Sequence, residues 1–496
     1  MRTHAAIAAP GAGGGGAGMN RSIVRLYGVV VVMFALLLGF TSRWTVFEAS
    51  SLRANTLNKR GVLEQERIHR GEILASGGTV LARSVRAADG TYTRTYPQHA
   101  QFAHAIGYSF TTLGQSGLER FRNEALNGRE DADLRTLLDQ LQGRKRAGDE
   151  LVTNLNPAAQ RTAIAALGAH QGAVVALDPR SGAVKVMVST PSFDPNALRS
   201  QSTYTRLATD SVDKPLVNRA TQFGYAPGST FKVLTATAAI DSGAFTAQST
   251  VSGRNGVAIS GVALQNDEHA DYGQISLTDA LTKSVNTAWA QVAERLGKAT
   301  IARYMKRFGF DRKPRLDYPS EQMSSSGEYR NGKLLSPTSS LVDVGRLGIG
   351  QDKLQVTPLQ MAQVAAAVAN GGRLMVPHLT ARIVDPDGRT VQNVEPQLQS
   401  TVMRPETAAA VTGMMESVVQ RGTGVQAQIP GVRVAGKTGT AETELGQQIN
   451  NVWFIAFAPA DRPRVAIAVT LQGVPGQGAA FAAPVARQVM ETLLHG

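Results

Sequence analysis

The sequence predicts an α/β (α+β) fold: an antiparallel sheet flanked by helices, a smaller α+β module before it, and one membrane-spanning helix near the N-terminus. Three observations carry this expectation. Hairpin signals stand near both ends of the C-terminal part of the chain, helical patterns fill the interval, and a single long apolar run lies close to the start.

In chain order, the apolar run comes first. Leu26–Phe40 is apolar and uncharged, and the uncharged stretch continues to Ser42 before Arg43. That length is at the lower limit for spanning a bilayer, and residues 26–42 are read as a transmembrane anchor. Arg2, Arg21 and Arg25 precede it and place the N-terminus on the cytoplasmic side. Phe40-Thr-Ser-Arg-Trp44 offers no small-residue cleavage site, which favours an uncleaved anchor over a signal peptide. Residues 1–25 then form a short disordered cytoplasmic tail, rich in Gly and Ala from Ala5 to Gly18, with Met19 as an alternative start. The bulk of the chain is exported and the protein is plasma-membrane bound, single-pass.

Residues 43–160 are expected to form the smaller module. It opens with a polar stalk from Arg43 to Asn58 and includes a charged helical stretch at Glu130–Gln142. Residues 161–496 form the larger domain. Gly172–Val188 holds two β-branched runs around the turn cluster Asp178-Pro-Arg-Ser-Gly182, a hairpin. Val452–Phe457 and Arg464–Thr470 form a second, and Trp453, Phe454 and Phe457 read as sheet core. Between them, 231–240, 277–296, 359–369 and 407–419 carry helical patterns.

Composition narrows the function. At 496 residues and 43% hydrophobic the chain folds, and its length points to more than one domain. The net charge of +13 comes largely from dispersed arginine; no aromatic-interleaved basic patch or helix-turn-helix accompanies it, so nucleic acid is not the expected partner. Absence of cysteine removes disulfides, thiolate nucleophiles and Cys-ligated zinc. The eight histidines, of which His99 and His104 are the nearest pair, show no ligand spacing, and neither metal nor cofactor is predicted.

Two serines precede a lysine by three residues. At Ser211-Val-Asp-Lys214 the lysine is followed by Pro215, which disfavours helical geometry, so this match reads as a solvated loop. At Pro227-Gly-Ser229-Thr-Phe-Lys232 the serine opens an apolar helical run, where free N–H groups favour an oxyanion and Lys232 falls one turn on. A lysine among apolar neighbours is depressed in pKa and able to take the hydroxyl proton. Ser284-Val-Asn286 and Lys437-Thr438-Gly439-Thr440 follow in order, and the ordered set is far more specific than any member.

This set resembles the active-site serine enzymes that react with penicillin. The likeness extends through Gly172–Asn196, Asn218–Lys232, Gly348-Ile-Gly-Gln-Asp-Lys and Trp453-Phe-Ile-Ala-Phe-Ala-Pro. Upstream, Arg70-Gly-Glu, Tyr96-Pro, Gly107-Tyr and Ser116-Gly-Leu-Glu119 resemble the short pedestal of class B, monofunctional penicillin-binding proteins, most nearly the actinobacterial penicillin-binding protein A group.

The resemblance implies a penicillin-recognising serine transpeptidase fold and a peptidoglycan D,D-transpeptidase that cross-links stem peptides and is acylated by β-lactams. It implies that Ser229 attacks the penultimate D-alanine carbonyl, Lys232 takes the proton, Ser284 relays one to the leaving D-alanine, and Asn286 orients the donor amide. Lys437 adds positive potential, Thr438, Gly439 and Thr440 bind the terminal carboxylate, and the N–H groups of Ser229 and Thr440 form the oxyanion hole. Expected partners are D-Ala-D-Ala stem peptides, β-lactams, the membrane and a membrane glycan polymerase of the RodA/FtsW type. A D,D-carboxypeptidase, a serine β-lactamase and a non-catalytic polymerase activator are the alternatives. A β-lactamase must also deacylate with water, most effectively through a glutamate-based loop or a modified lysine; Glu321 and Glu328 follow the second motif but lack the Glu-x-x-Leu-Asn pattern and read as exposed loop residues. No second set of transmembrane segments suits a sensor, and 46–160 is too short for a glycosyltransferase domain.

Overall fold

The computed structural model describes residues 16–42, 66–128, 147–442 and 449–495, in two compact units, 1–65 and 66–496. The predicted stalk, the tail before Gly16 and the helical stretch Glu130–Gln142 lie outside the described residues. The first unit contributes α1 (Gly16–Ser42), whose segment Ile23–Phe40 is apolar, exposed throughout and long enough to cross a membrane. It begins ten residues before the predicted start at Leu26.

In the second unit, short strands β1 (Ile73–Leu74), β2 (Val80–Arg86) and β3 (Tyr92–Thr95) precede β4 (Glu150–Thr153). Helix α2 (Pro157–Leu167) follows, with Asn156 capping it by accepting from the Ala159 N–H and Pro157 in its first turn. Strands β5 (Gly172–Leu177) and β6 (Val184–Thr190) are the predicted first hairpin. Then come α3 (Lys232–Asp241), α4 (Asn286–Arg307) and α5 (Pro358–Ala369). Strands β7 (Thr380–Val384) and β8 (Thr390–Asn393) return to the first sheet, whose order is β8-β7-β4-β1-β2-β3. Two of its six strands thus come from far along the chain, a pairing no local pattern announces. The rest is α6 (Pro405–Arg421), β9 (Ala435–Glu442), β10 (Ile449–Ala458), β11 (Val465–Pro475) and α7 (Gly478–His495).

The second sheet is antiparallel throughout, in the order β9-β10-β11-β5-β6, so the two predicted hairpins meet in one sheet through β11 and β5. Both its faces are dry. Ala173, Val175, Trp453, Ile455 and Phe457 enter the core with α3, α4 and α5, while Val174, Ala176, Phe454 and Ala456 enter the core with α2 and α7. The strand period of two therefore sends alternate residues to two hydrophobic layers, and burying both is what makes β10 an almost unbroken apolar run. Strand β9 is left at an edge.

The smaller module is organised around one buried carboxylate. Glu119 is fully buried and accepts from Arg70 Nε and Arg94 Nε, each at 2.7 Å, and from Tyr96 Oη at 3.2 Å. Arg70 also donates to the Glu119 carbonyl and to Asn123 and Asn127. The short motifs at Arg70, Tyr96 and Ser116–Glu119 thus converge on a single ion cluster. Burial pushes the Glu119 carboxyl up, but Arg94 and Arg70 outweigh it and hold it below the ordinary range. Its stabilisation is present above the unfolded carboxylate pKa and is lost as pH falls through the lowered folded value. Glu119→Gln leaves two buried guanidinium groups without a counter-charge and is expected to cost about 3 kcal/mol near neutral pH. Urea melts over a pH series check it, the gap to wild type closing at the acid end.

Candidate active site

The site begins where β9 meets the turn before α3. Gly228 has φ +51°, and a Cβ built on it would lie 2.4 Å from the Thr440 carbonyl oxygen and 3.2 Å from the Thr440 nitrogen. A side chain is excluded there, and the outward main-chain edge of Thr440 faces the residue before the serine. Gly439 is tight in the same way, its missing Cβ facing Pro227 O at 2.7 Å. From the other side, Gly228 N donates to Gly350 O at 3.0 Å, and Trp453 Nε1 donates to Ala226 O at 3.0 Å.

Ser229 follows inside a 3₁₀ turn, Gly228–Phe231, closed by Thr230 Oγ1 donating to Pro227 O at 2.8 Å. The sequence predicts a helix from Phe231 with the serine at its mouth; the extra turn moves the helix start to Lys232. Residues three apart eclipse in a 3₁₀ turn, which sets Lys232 on the serine side. Ser229 Oγ itself makes no hydrogen bond among the described residues and is partly exposed.

The second motif departs from expectation. The predicted helix 277–296 is broken: one helix ends at Thr282, α4 starts at Asn286, and Ser284 between them adopts φ +58°. A left-handed serine costs about 1–2 kcal/mol, sustained by Ser284 N on Leu281 O and Val285 N on Ala280 O. The result is that Ser284 turns both its carbonyl and its hydroxyl toward one amine. Lys232 Nζ donates to Ser284 O and to Asn286 Oδ1, each at 2.7 Å, and lies 3.3 Å from Ser284 Oγ. Lys437 Nζ donates to the same Ser284 Oγ at 2.9 Å and to Thr438 O at 2.9 Å.

The structure therefore joins Lys232, Ser284, Asn286, Lys437 and Thr438 in one hydrogen-bonded cluster and sets Gly439 and Thr440 against the Pro227–Gly228 turn that leads into Ser229. Both lysines are 0% exposed. Burial foremost, then the positive charge of Lys437, depress Lys232 well below the ordinary lysine value, against a smaller opposing pull from Asp267. Burial brings Lys437 down to about 7. Ser211 is exposed and Lys214 has φ +44°, away from this constellation, consistent with a surface turn.

Sequence reasoning missed several residues. Thr423, just after α6, places its Oγ1 2.6 Å from Thr438 Oγ1 while its N–H reaches Thr282 O at 3.3 Å, tying second and third motifs together. Gly478 N donates to Thr440 Oγ1 at 3.3 Å. A lone threonine and a glycine at the start of a helix carry no local signal. Glu328 is a correction: it is no exposed loop carboxylate but fully buried on strand Gly327–Arg330, and burial foremost pushes it up to about 8. A strand pairing both its neighbours draws it inside. Glu321 is half-exposed and pairs with Arg120 at 2.7 Å. His99 lies 2.8 Å from Asp194, His104 packs edge-on against Phe193, and among the described residues no three His, Asp or Glu side chains converge on a metal position.

A serine held by glycine-tight turns beside two desolvated lysines, a bridging second serine and an open strand edge defines an active-site serine acyltransferase. Residues 172–491 match the penicillin binding protein transpeptidase domain, and 70–151 match the penicillin binding protein A dimerisation domain. The chain belongs to the penicillin-binding protein transpeptidase family. It is similar to the peptidoglycan D,D-transpeptidase PbpA of Mycobacterium tuberculosis, 36% identical over 506 aligned residues, covering 96% of this chain and 100% of the relative. The PbpA of Mycolicibacterium smegmatis is 35% identical, covering 96% and 99%. A solved structure of penicillin-binding protein A from M. tuberculosis as a ceftriaxone acyl-enzyme complex superposes with TM-score 0.78 at 33% identity, over 87% of this chain and 100% of that one.

The pH dependence of acylation follows from the two lysines. With the roles the resemblance implies, Lys232 takes a proton only when neutral, so the rate would rise as pH passes its depressed pKa; Lys437 draws a carboxylate only when charged, so the rate would fall above about 7. Second-order labelling rates with a carboxylate-bearing penicillin are expected to trace a bell, and Lys437→Gln is expected to lower the rate and remove the alkaline limb.

Proposed function

We propose that this protein is a membrane-anchored peptidoglycan D,D-transpeptidase working through a serine acyl-enzyme, and that β-lactams acylate the same serine. The observation that carries it is Ser284 Oγ held within reach of two buried lysines, opposite a strand edge aimed at the nucleophile turn.

Ser229 Oγ attacks the penultimate D-alanine carbonyl, and its proton passes to neutral Lys232. Charge developing on the carbonyl oxygen is received by the main-chain N–H groups of Ser229 and Thr440. Ser284 hands its proton to the departing D-alanine nitrogen and is refilled from Lys232, which it nearly touches at 3.3 Å. Asn286 orients the donor amide. Lys437 holds the positive potential, and Thr438 and Thr440 bind the terminal carboxylate across the tight strand at Gly439. An amine of a second stem then attacks the acyl-enzyme; its proton returns by the same relay and Ser229 is restored. Hydrolysis of the acyl-enzyme instead would make a D,D-carboxypeptidase, and the acceptor decides between them.

In this reading residues 26–42 anchor the chain in the plasma membrane, 1–25 remain cytoplasmic, 43–160 form the pedestal and 161–496 the extracytoplasmic transpeptidase domain. A membrane glycan polymerase of the RodA/FtsW type is the partner that supplies strands to cross-link.

Covalent labelling by a fluorescent penicillin tests the assignment. Wild type and Ser211→Ala are expected to form a persistent adduct, while Ser229→Ala forms none and Lys232→Ala loses at least about 10³-fold in rate. An adduct that decays within seconds, or one retained in Ser229→Ala, would overturn the reading.

A further inference from the structure

The catalytic cleft has a mouth whose two sides are joined by one carboxylate. Gln265 O accepts from Asn286 Nδ2 at 3.2 Å, and buried Asn266 Oδ1 accepts from both Thr287 N and Thr287 Oγ1 at 3.0 Å. These bonds fasten the segment before Asp267 to the first turn of α4. Asp267 Oδ2 then accepts from Gln477 Nε2 at 3.0 Å, and the next residue, Gly478, donates to Thr440 Oγ1 at 3.3 Å. Asp267 therefore stands between the Asn286 wall and the Thr440 strand edge, the two surfaces that grip a stem peptide in the mechanism above.

Its surroundings leave this charge available. Asp267 is exposed, and among the described residues no lysine or arginine lies within ion-pair distance of it. Lys283, on the second motif, is held over the Tyr272 ring at 5.1 Å instead. Glu268 and Asp271 beside it are also exposed, and His269 is the one basic group on the same turn. Glu268 and His269 both have left-handed backbone, φ 51° and 56°, which keeps the turn from continuing as helix. The field of Asp267 reaches the catalytic amine, where it opposes the depression of Lys232.

A stem peptide able to cross-link carries a primary amine, which is an ammonium at neutral pH. We propose that Asp267 is a specificity residue that binds this side-chain ammonium and so selects amine-bearing stems. The assignment rests on the transpeptidase reading. The ammonium has two sources, the donor strand being acylated or the acceptor strand, whose ammonium gives one proton to solvent before it attacks as the neutral amine, and the experiment separates them.

Full-length wild type, Asp267→Asn, Asp267→Glu and Gln477→Ala are compared in detergent. The donor probe is a lysine-containing peptide ending in D-Ala-D-Ala, offered with its side-chain amine free or acetylated, and D-alanine release is followed. The acceptor probe is the free-amine peptide added to preformed acyl-enzyme, with the ratio of aminolysis to hydrolysis measured. Asp267→Asn is expected to cut either the free-over-acetylated donor preference or the aminolysis ratio by about fivefold or more, while Asp267→Glu and Gln477→Ala keep it. The arm that changes names the strand. Unchanged ratios in both arms, an equal loss for free and acetylated donors, or the same loss in Gln477→Ala would overturn the proposal. A wild type that neither releases D-alanine nor labels with penicillin would instead refute the transpeptidase reading beneath it.

Discussion

Two ammonium groups cannot both stay charged in one dry pocket, and the site is built on that constraint. Lys232 and Lys437 are both wholly buried and share the Ser284 hydroxyl at 3.3 and 2.9 Å. Desolvation lowers both, and the positive charge of Lys437 lowers Lys232 further. The physical outcome is a division of labour: one lysine is an amine ready to accept a proton, the other stays cationic up to about pH 7. Two residues of one type acquire opposite roles from their surroundings alone.

That arrangement subtracts from stability. A lysine whose folded pKa is depressed binds fewer protons folded than unfolded between the two values, so each burial weakens the fold at neutral pH and the deficit shrinks as pH rises toward the unfolded lysine value. The left-handed Ser284 adds strain. Compensation comes from the sheet, whose five strands bury side chains on both faces, and from glycines at 228, 350 and 439 that let three backbones approach within hydrogen-bond reach. The edge position of β9 also matters, because only an edge strand has main-chain groups left over to face Gly228 and the substrate.

What was legible in the sequence was local. The hairpins at 172–190 and 449–475, the helices following Phe231, Pro358 and Pro405, and the three motifs each announce themselves within a dozen residues, through period, turn chemistry or spacing. The break at Ser284 was hidden because the flanking apolar pattern continues in helical phase across it; only the demand of Lys232 for two acceptors from one residue explains it. Glu328 was misread because burial of a carboxylate depends on which strands pair around it. The return of β7 and β8 to the first sheet is likewise a long-range pairing without a local signature.

Thr423 and Asp267 show the same limit from the functional side. Each is a common residue in an unremarkable stretch, and each is placed by a distant segment: Thr423 by Thr438 at 2.6 Å, Asp267 by the bonds at 3.0 Å that Thr287 makes to its neighbour Asn266. The motifs state which atoms break and make bonds, and they do so in few residues because that chemistry tolerates little variation. The proposed recognition of the stem ammonium, by contrast, asks only that a loop place one charge within reach. The proposed specificity residue therefore sits where sequence patterns are weakest, on a segment pinned at one end to the first turn of α4 and at the other to Gln477.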